Sequence, residues 1–363
     1  MRVVDETGNG LARITLSFPN WLDGHVSPST TDLPVSTFTV VESVQIRTTL
    51  RGHVDPVWAL VCSPDGKVIA SSTIQGAVKL WDAESAKPLG TLADHPGMVY
   101  SMAFAPDGKT LAVGVYKQER ARVSGEIRLW DIATKELRQT LKLEPSCGVG
   151  RIAFSPDGKT LAAEEESKVG LRGRSSVEVA LWDLASRKVR AALNTSATGL
   201  IFSPDGRSVI TVGQGLRVWN PEAGSESASL AGSYTCLACS PDGRLAAAGD
   251  YTGKITLWDL AKSEAAGTIQ LEENPRIYSL AFSPDGKMLA AGTGDPDPKF
   301  VKPARIALVD LSTLEERQTL RGHRGAVQSV VFSPNGHVLF SGSQDMTVKV
   351  WDLQRRTENT TGQ

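Results

Sequence analysis

The chain is short of the residues that usually do chemistry. It has four cysteines and five histidines in 363 residues. Its 39 Lys and Arg nearly balance 40 Asp and Glu, for a formal net charge of −1. No one-signed field is therefore available to draw in nucleic acid or an acidic membrane. No apolar run approaches the length of a membrane span. The first residues carry Asp5 and Glu6 with no unbroken apolar stretch behind them, which is not the pattern of a secretory signal. A cytoplasmic address is the expectation.

The scarce residues are also poorly placed for catalysis. Cys236-Leu-Ala-Cys239 has a redox or zinc spacing. It falls in a predicted strand, however, where an i, i+3 separation puts the two side chains on opposite faces. No second such pair completes a zinc site. Cys62 and Cys239 stand two residues before a turn proline, the place held elsewhere by Phe104, Phe154, Phe202, Phe282 and Phe332. They read as small buried apolar groups. No Ser-His-Asp order, zinc spacing or phosphate-cradling glycine loop stands out, and Asp295-Pro-Asp297 is too short for a calcium loop. No metal and no cofactor are expected.

What the chain has instead is repetition. Seven times it writes Ser-Pro-Asp-Gly or a close variant, beginning at Ser63, Ala105, Ser155, Ser203, Ser240, Ser283 and Ser333. Each is followed by Trp-Asp or a variant: Trp81-Asp82, Trp130-Asp131, Trp182-Asp183, Trp219-Asn220, Trp258-Asp259, Val309-Asp310 and Trp351-Asp352. A repeat of roughly 40 to 50 residues with these two marks reads as a propeller blade of about four strands. In the turn, proline presets its own φ, aspartate suits the third place and glycine the fourth. Before each turn runs a short apolar strand such as Tyr278-Ser-Leu-Ala-Phe282, and after it another such as Met288-Leu-Ala-Ala291. Neither alternates, so both faces must be covered, as when blades pack together. A third strand ends at each tryptophan, and a polar fourth, such as Glu315-Glu-Arg-Gln-Thr-Leu320, suits an outer edge. Five places before each turn proline the residue is mostly small, which would let a neighbouring blade come close; Arg151 breaks that column without explanation.

With these marks the chain resembles the WD-repeat β-propeller family over residues 44 to 353, with turns of bacterial type. The resemblance implies an all-β, seven-bladed propeller of four-stranded antiparallel blades. Gly52-His53, Gly322-His323 and the variant Asp94-His95 add a further family mark. His323, Ser341, Asp345 and Trp351 match the family's buried hydrogen-bond set, whereas blade 1 has Gln75 in the aspartate's place. Residues 42–53 read like residues 312–323, the outer strand of blade 6, so residues 44–50 are expected to close the ring as the N-terminal outer strand of the last blade. The organisation is then an extension at 1–40, a propeller at 41–353 and a disordered tail at 354–363.

Function is expected on the top face, where the chain enters each first strand. Six places before each turn proline stand Trp58, Tyr100, Gly150, Thr198, Thr235, Tyr278 and Gln328, with Arg276 beside Tyr278. They share the large-residue face of the strand at its top end, and the resemblance implies that this rim around the central channel grips peptide segments, for which aromatics and arginine are the usual anchors. The spacing between the second and third strands is longer in blades 2, 3 and 6, predicting loops near 115–125, 164–176 and 293–304. Lys117, Arg120, Arg122, Arg172 and Arg174 in the first two form a basic lip for an acidic partner segment or phosphate. The rim holds no His, Asp or Glu. The reading is a non-catalytic, monomeric scaffold for a protein or peptide, with no nucleic-acid or membrane partner. The alternatives are a sensor or regulatory module of a larger protein and, more distantly, a propeller hydrolase or lyase.

Overall fold

The computed structural model describes residues 44–92, 95–119, 122–144, 147–167, 176–295 and 304–353. The expected extension at 1–40 and tail at 354–363 lie outside them. All regular elements among these residues are strands, arranged as seven four-stranded antiparallel sheets. Six sheets use consecutive strands; blade 1, for example, runs Val57–Cys62, Val68–Thr73, Val78–Asp82 and Pro88–Leu92. The seventh takes its outer strand, Gln45–Leu50, from the other end of the chain. It pairs antiparallel with Val348–Asp352, Gln45 opposite Asp352 and Leu50 opposite Val348. The ring is closed by this pairing, which leaves no open sheet within it.

Seven apolar clusters hold the blades together, one at each junction. Leu50, Val57, Leu60, Trp81, Phe340 and Val348 form the one between blades 7 and 1. The CxxC pair is divided between two of them: Cys236 packs between blades 5 and 6 and Cys239 between blades 4 and 5. Burial pushes both thiols up to about 12, so neither is a ready nucleophile.

The recurrent turn has a second role beyond reversing the chain. Within it, the Ser63 hydroxyl donates to Asp65 Oδ1 at 2.6 Å and accepts from Val68 N at 2.9 Å. Gly66 has φ +73, and a Cβ there would stand 3.1 Å from Cδ of Pro334 in the preceding blade's turn. The same glycine-on-proline contact recurs from Gly108 on Pro64 around to Gly336 on Pro284. Proline and glycine thus recur together because each turn is seated on its neighbour.

The buried polar set differs from blade to blade. In blade 7 the Trp351 indole donates to Ser341 Oγ at 2.8 Å, His323 Nε2 meets the same hydroxyl at 2.7 Å, and His323 Nδ1 meets Asp345 Oδ2 at 2.8 Å. Blade 1 keeps Trp81, Ser71 and His53, but Gln75 leaves His53 Nδ1 without a partner. In blades 2 and 5, Val113 and Ala248 hold the serine's register position, and the indole N–H groups of Trp130 and Trp258 are unpartnered. Blade 3 has Ala163 there; its Trp182 instead donates to the buried Glu165 at 3.0 Å. Blade 6 has lost the tryptophan, and beside Val309 the buried Arg305 pairs with Glu316.

In two of the expected long loops the described residues prove to be strand; residues 168–175 of the blade 3 loop lie outside the described residues. In blade 2 the second and third strands run on as Thr110–Glu119 and Arg122–Asp131, with Lys117 opposite Ser124. Blade 3 clamps this longer hairpin: the Tyr116 ring lies where a side chain on Gly148 would be, and Gly125 abuts the Gly148 backbone. Glu164, Glu165 and Glu166 likewise lie in the strand Thr160–Ser167, paired with Val179, Glu178 and Val177. A count of inserted residues does not show whether the ladder continues through them.

Three outcomes are expected. Removal of residues 1–50 strips the last blade of its outer strand and lowers the melting temperature sharply, and an unchanged melting point would reject the closure. Gln75→Asp gives His53 Nδ1 an acceptor; calorimetry is expected to show a melting point raised by about 2 °C, for a hydrogen bond of about 1 kcal/mol. Burial raises the Glu165 carboxyl to about 7, so the native state favours its protonated form. Its stabilising share is complete below the unfolded range near 4.5 and is lost as pH rises through 7. Glu165→Gln, which keeps an acceptor for Trp182, should therefore raise the melting temperature at pH 8 and leave it unchanged near pH 4.

The mouth of the central channel

The first strand of every blade runs along the ring axis, and there the strands crowd together. This explains the small residues five places before each turn proline. Ser101 Oγ accepts from Ile152 N of the next blade at 3.1 Å, and Ser279 Oγ accepts from Val330 N at 3.1 Å. Ser329 Oγ donates to Leu60 O at 3.3 Å. A Cβ on Gly199 would come within 2.8 Å of Leu237 Cβ. The column that looked like a packing surface is a belt of close contacts around a narrow channel, whose open part holds about 170 Å³.

Arg151 is accommodated because its side chain extends into that channel, whose wall it lines. Its Nε donates to Thr198 O at 3.0 Å on one side, and its Nη1 donates to Tyr100 O at 3.2 Å on the other. One side chain of blade 3 thus ties blades 2 and 4. The adjacent Gly150 is required: a Cβ there would overlap Glu164 Oε2. Glu164 accepts from Arg151 N at 3.3 Å and from Ala197 N at 2.9 Å. Burial raises the Glu164 carboxyl, against the pull of these amides and of Arg151. Burial also works against the Arg151 charge, although a guanidinium stays protonated in proteins.

The rim residues reach the mouth by a route the sequence does not show. In blades 1, 2, 3, 6 and 7 the register of the first two strands slips by one residue, between Val57 and Ala59, Val99 and Ser101, Val149 and Ile152, Ile277 and Ser279, and Val327 and Ser329. Trp58, Tyr100, Tyr278 and Gln328 are the extra residues of β-bulges. They do not share the large-residue face of the strand, as alternation suggested, because a bulge turns its residue off the regular face. They point instead into the channel wall they line. Blades 4 and 5 offer no such anchor. Their first strands begin later, at Gly199 and Cys236, and Thr198 and Thr235 spend their hydroxyls on Tyr234 O at 2.8 Å and Ile277 O at 2.6 Å.

The structure gathers the aromatics into two groups. Trp58 meets Tyr100 edge-on at 6.1 Å, and Tyr100 meets Tyr116 edge-on at 5.8 Å. On blades 5 and 6, Arg276 lies over the exposed Tyr251 at 4.3 Å and near the Tyr278 ring at 6.0 Å. Sequence spacing does not reveal Tyr116, which lies in the second strand of blade 2, or Tyr251, which lies between the second and third strands of blade 5; both fall outside the column that marks the rim. Burial raises the hydroxyl pKa of Tyr100 and of Tyr278. Gln328 is only 9 % exposed, and its Nε2 has no hydrogen-bond partner.

The proposed basic lip fares differently. Lys117 lies in the extended hairpin rather than a loop. Arg120, Arg172 and Arg174 lie outside the described residues, as does the side chain of Arg122. Among the described residues no three His, Cys, Asp or Glu side chains converge as a metal site would need, and no helix is long and apolar enough to cross a membrane.

Comparison with known proteins places this geometry. The model of the WD domain, G-beta repeat, matches residues 44–82, 86–131, 224–259, 267–296 and 314–352, just over half of the chain. The unmatched blades 3 and 4 are those in which Glu165, with Ala163 at the serine's position, takes over as the indole's acceptor and Asn220 stands in place of the aspartate. The WD repeat-containing protein SL1-17 of Schistosoma mansoni is 35% identical over 142 residues, 38% of this chain and 44% of that protein. The small ribosomal subunit protein RACK1 of Schizosaccharomyces pombe is 32% identical over 133 residues, 34% and 39% of the two chains. The transcription factor unc-37 of Caenorhabditis elegans is 29% identical over 173 residues, 43% and 27%. The chain thus spans less than half the length of these relatives. All three are eukaryotic and lend no support to a bacterial type of turn. With five repeats matched and seven blades in one ring, the chain belongs to the WD domain, G-beta repeat family.

Proposed function

We propose that this chain is a non-catalytic platform that holds a protein or peptide partner across the mouth of its central channel. The observation that carries the reading is the pair of aromatic groups on blades 1–2 and 5–6, roughly opposite each other around a seven-membered ring. Aromatic and arginine side chains are the usual anchors of an interface, and anchors held by bulges on a closed scaffold lose little freedom on binding. Relatives named as a ribosomal subunit protein and as a transcription factor carry the same repeat, in keeping with a scaffold whose partner is set by its surface. A cytoplasmic monomer remains part of the reading, as does the basic lip of Lys117, Arg120, Arg122, Arg172 and Arg174 as a flanking contact.

The test is a double substitution, Trp58→Ala with Tyr278→Ala. Both side chains are half-buried at the rim and lie outside the seven inter-blade clusters. Partner capture in a quantitative pull-down should fall by about tenfold or more, the effect of losing one strong anchor. The melting temperature should stay within a few degrees of the parent. Undiminished capture by a folded double variant would remove the rim from consideration.

A further inference from the structure

The channel mouth carries hydrogen-bond donors that the fold does not use. Arg151 spends Nε and one Nη on the carbonyls of Thr198 and Tyr100. Among the described residues its second Nη has no hydrogen-bond partner, and no carboxylate lies within ion-pair distance of the guanidinium. Glu164, the nearest acid, turns both oxygens to backbone amides of Arg151 and Ala197. Gln328, in the opposite part of the same wall, is buried with its amide nitrogen unpartnered. A buried donor left unpaired is unfavourable in a folded protein. Glu164 is close enough for its charge to favour the Arg151 cation, but its oxygens are turned to backbone amides and leave guanidinium N–H groups to spare. Both groups can take a further acceptor.

The belt of small residues supplies the room. Ser101, Gly199, Ser279 and Ser329 leave the channel open around Arg151, with Trp58, Tyr100 and Tyr278 at its edge. The free volume of about 170 Å³ holds one short side chain or a chain end, not a folded element. A planar carboxylate fits the fork geometry of a guanidinium better than a hydroxyl or a single carbonyl does. Arg276 at the rim adds a second positive group above the mouth.

We propose that the channel mouth is a carboxylate-binding site. Arg151 takes the carboxylate through its unused N–H groups, and Gln328, whose Nε2 is sealed from solvent in the free protein, turns to donate it to a carbonyl oxygen of the same residue. The site deepens the platform reading and rests on it: the partner segment lowers an acidic side chain or a free carboxyl terminus into the channel while the aromatics hold its flanks.

The probes are blocked single residues, read by quenching of tryptophan fluorescence with calorimetry as a check. N-acetyl-glutamate N-methylamide presents a side-chain carboxylate, and N-acetyl-alanine presents a terminal one. N-acetyl-glutamine N-methylamide and N-acetyl-alanine amide are their neutral isosteres. At least one carboxylate should bind saturably, with an affinity on the order of millimolar for so small a ligand. Its neutral isostere should be weaker by about tenfold or more. Whichever carboxylate binds tells side chain from terminus. Arg151→Gln should abolish the preference for the charged form. Gln328→Met, which removes an amide nitrogen that has no hydrogen-bond partner in the fold, should weaken binding several-fold with a melting temperature within a few degrees of the parent and keeps the idea testable if the arginine variant fails to fold. Equal binding of carboxylate and isostere, no saturation by either carboxylate up to about 20 mM, or binding unaltered in the folded variants would each overturn the proposal. Such a failure leaves the rim untouched, because the rim is judged by partner capture in the Trp58 and Tyr278 double variant.

Discussion

Seven sheets can share one ring only if their inner strands approach one another closely at the axis while the last sheet is joined to the first. The pairing of Gln45–Leu50 with Val348–Asp352 meets the second condition, and the belt of Ala59, Ser101, Gly199, Cys236, Ser279 and Ser329 meets the first. Other features follow from this closure. The glycine-on-proline contacts fix the spacing of the turns on the lower face, and the seven apolar clusters fill the wedge-shaped gaps that open outward. Closure is also why the buried polar sets vary so freely. Blade 7 carries the full Trp-Ser-His-Asp chain, blades 2 and 5 leave an indole unpartnered, and blade 6 substitutes an arginine–glutamate pair. A blade held on both sides tolerates the loss of about one hydrogen bond's worth of stability.

The same crowding produces the candidate site. Strands that converge at the axis cannot all keep regular register, and in five blades the slip falls just above the narrowest point. Bulges there turn Trp58, Tyr100, Tyr278 and Gln328 away from the blade interfaces and toward the channel. In the proposed reading, recognition is carried by side chains that the fold has displaced from its own core. Arg151 belongs to both accounts, since it bridges blades 2 and 4 while keeping part of its guanidinium free.

Much of this architecture was legible in the residues. The Ser-Pro-Asp-Gly and Trp-Asp marks located every blade, and the likeness of residues 42–53 to 312–323 located the closing strand. The positions of Trp58, Tyr100, Tyr278 and Gln328 were found by counting back from the turn proline. Their orientation was not, because alternation cannot register a one-residue bulge. The hairpin of blade 2 and the strand carrying Glu164 to Glu166 looked like loops because only their length was visible. Arg151 had no explanation in one dimension, since its partners are carbonyls on two other blades. Tyr251 and Tyr116 were overlooked for the same reason: three-dimensional proximity brings them to a mouth that sequence spacing does not.

The central claim is that a partner is held at this mouth and not elsewhere on the ring. Hydroxyl-radical footprinting of the partner-bound and free protein tests it most directly, because candidate surfaces on the top face and outer edge carry reactive side chains. The account predicts protection of Trp58, Tyr100, Tyr251 and Tyr278 on binding, with Leu89, Leu137 and Val189 on the outer strands still exposed. Protection of those outer aliphatics, with the channel aromatics as reactive as before, would contradict it.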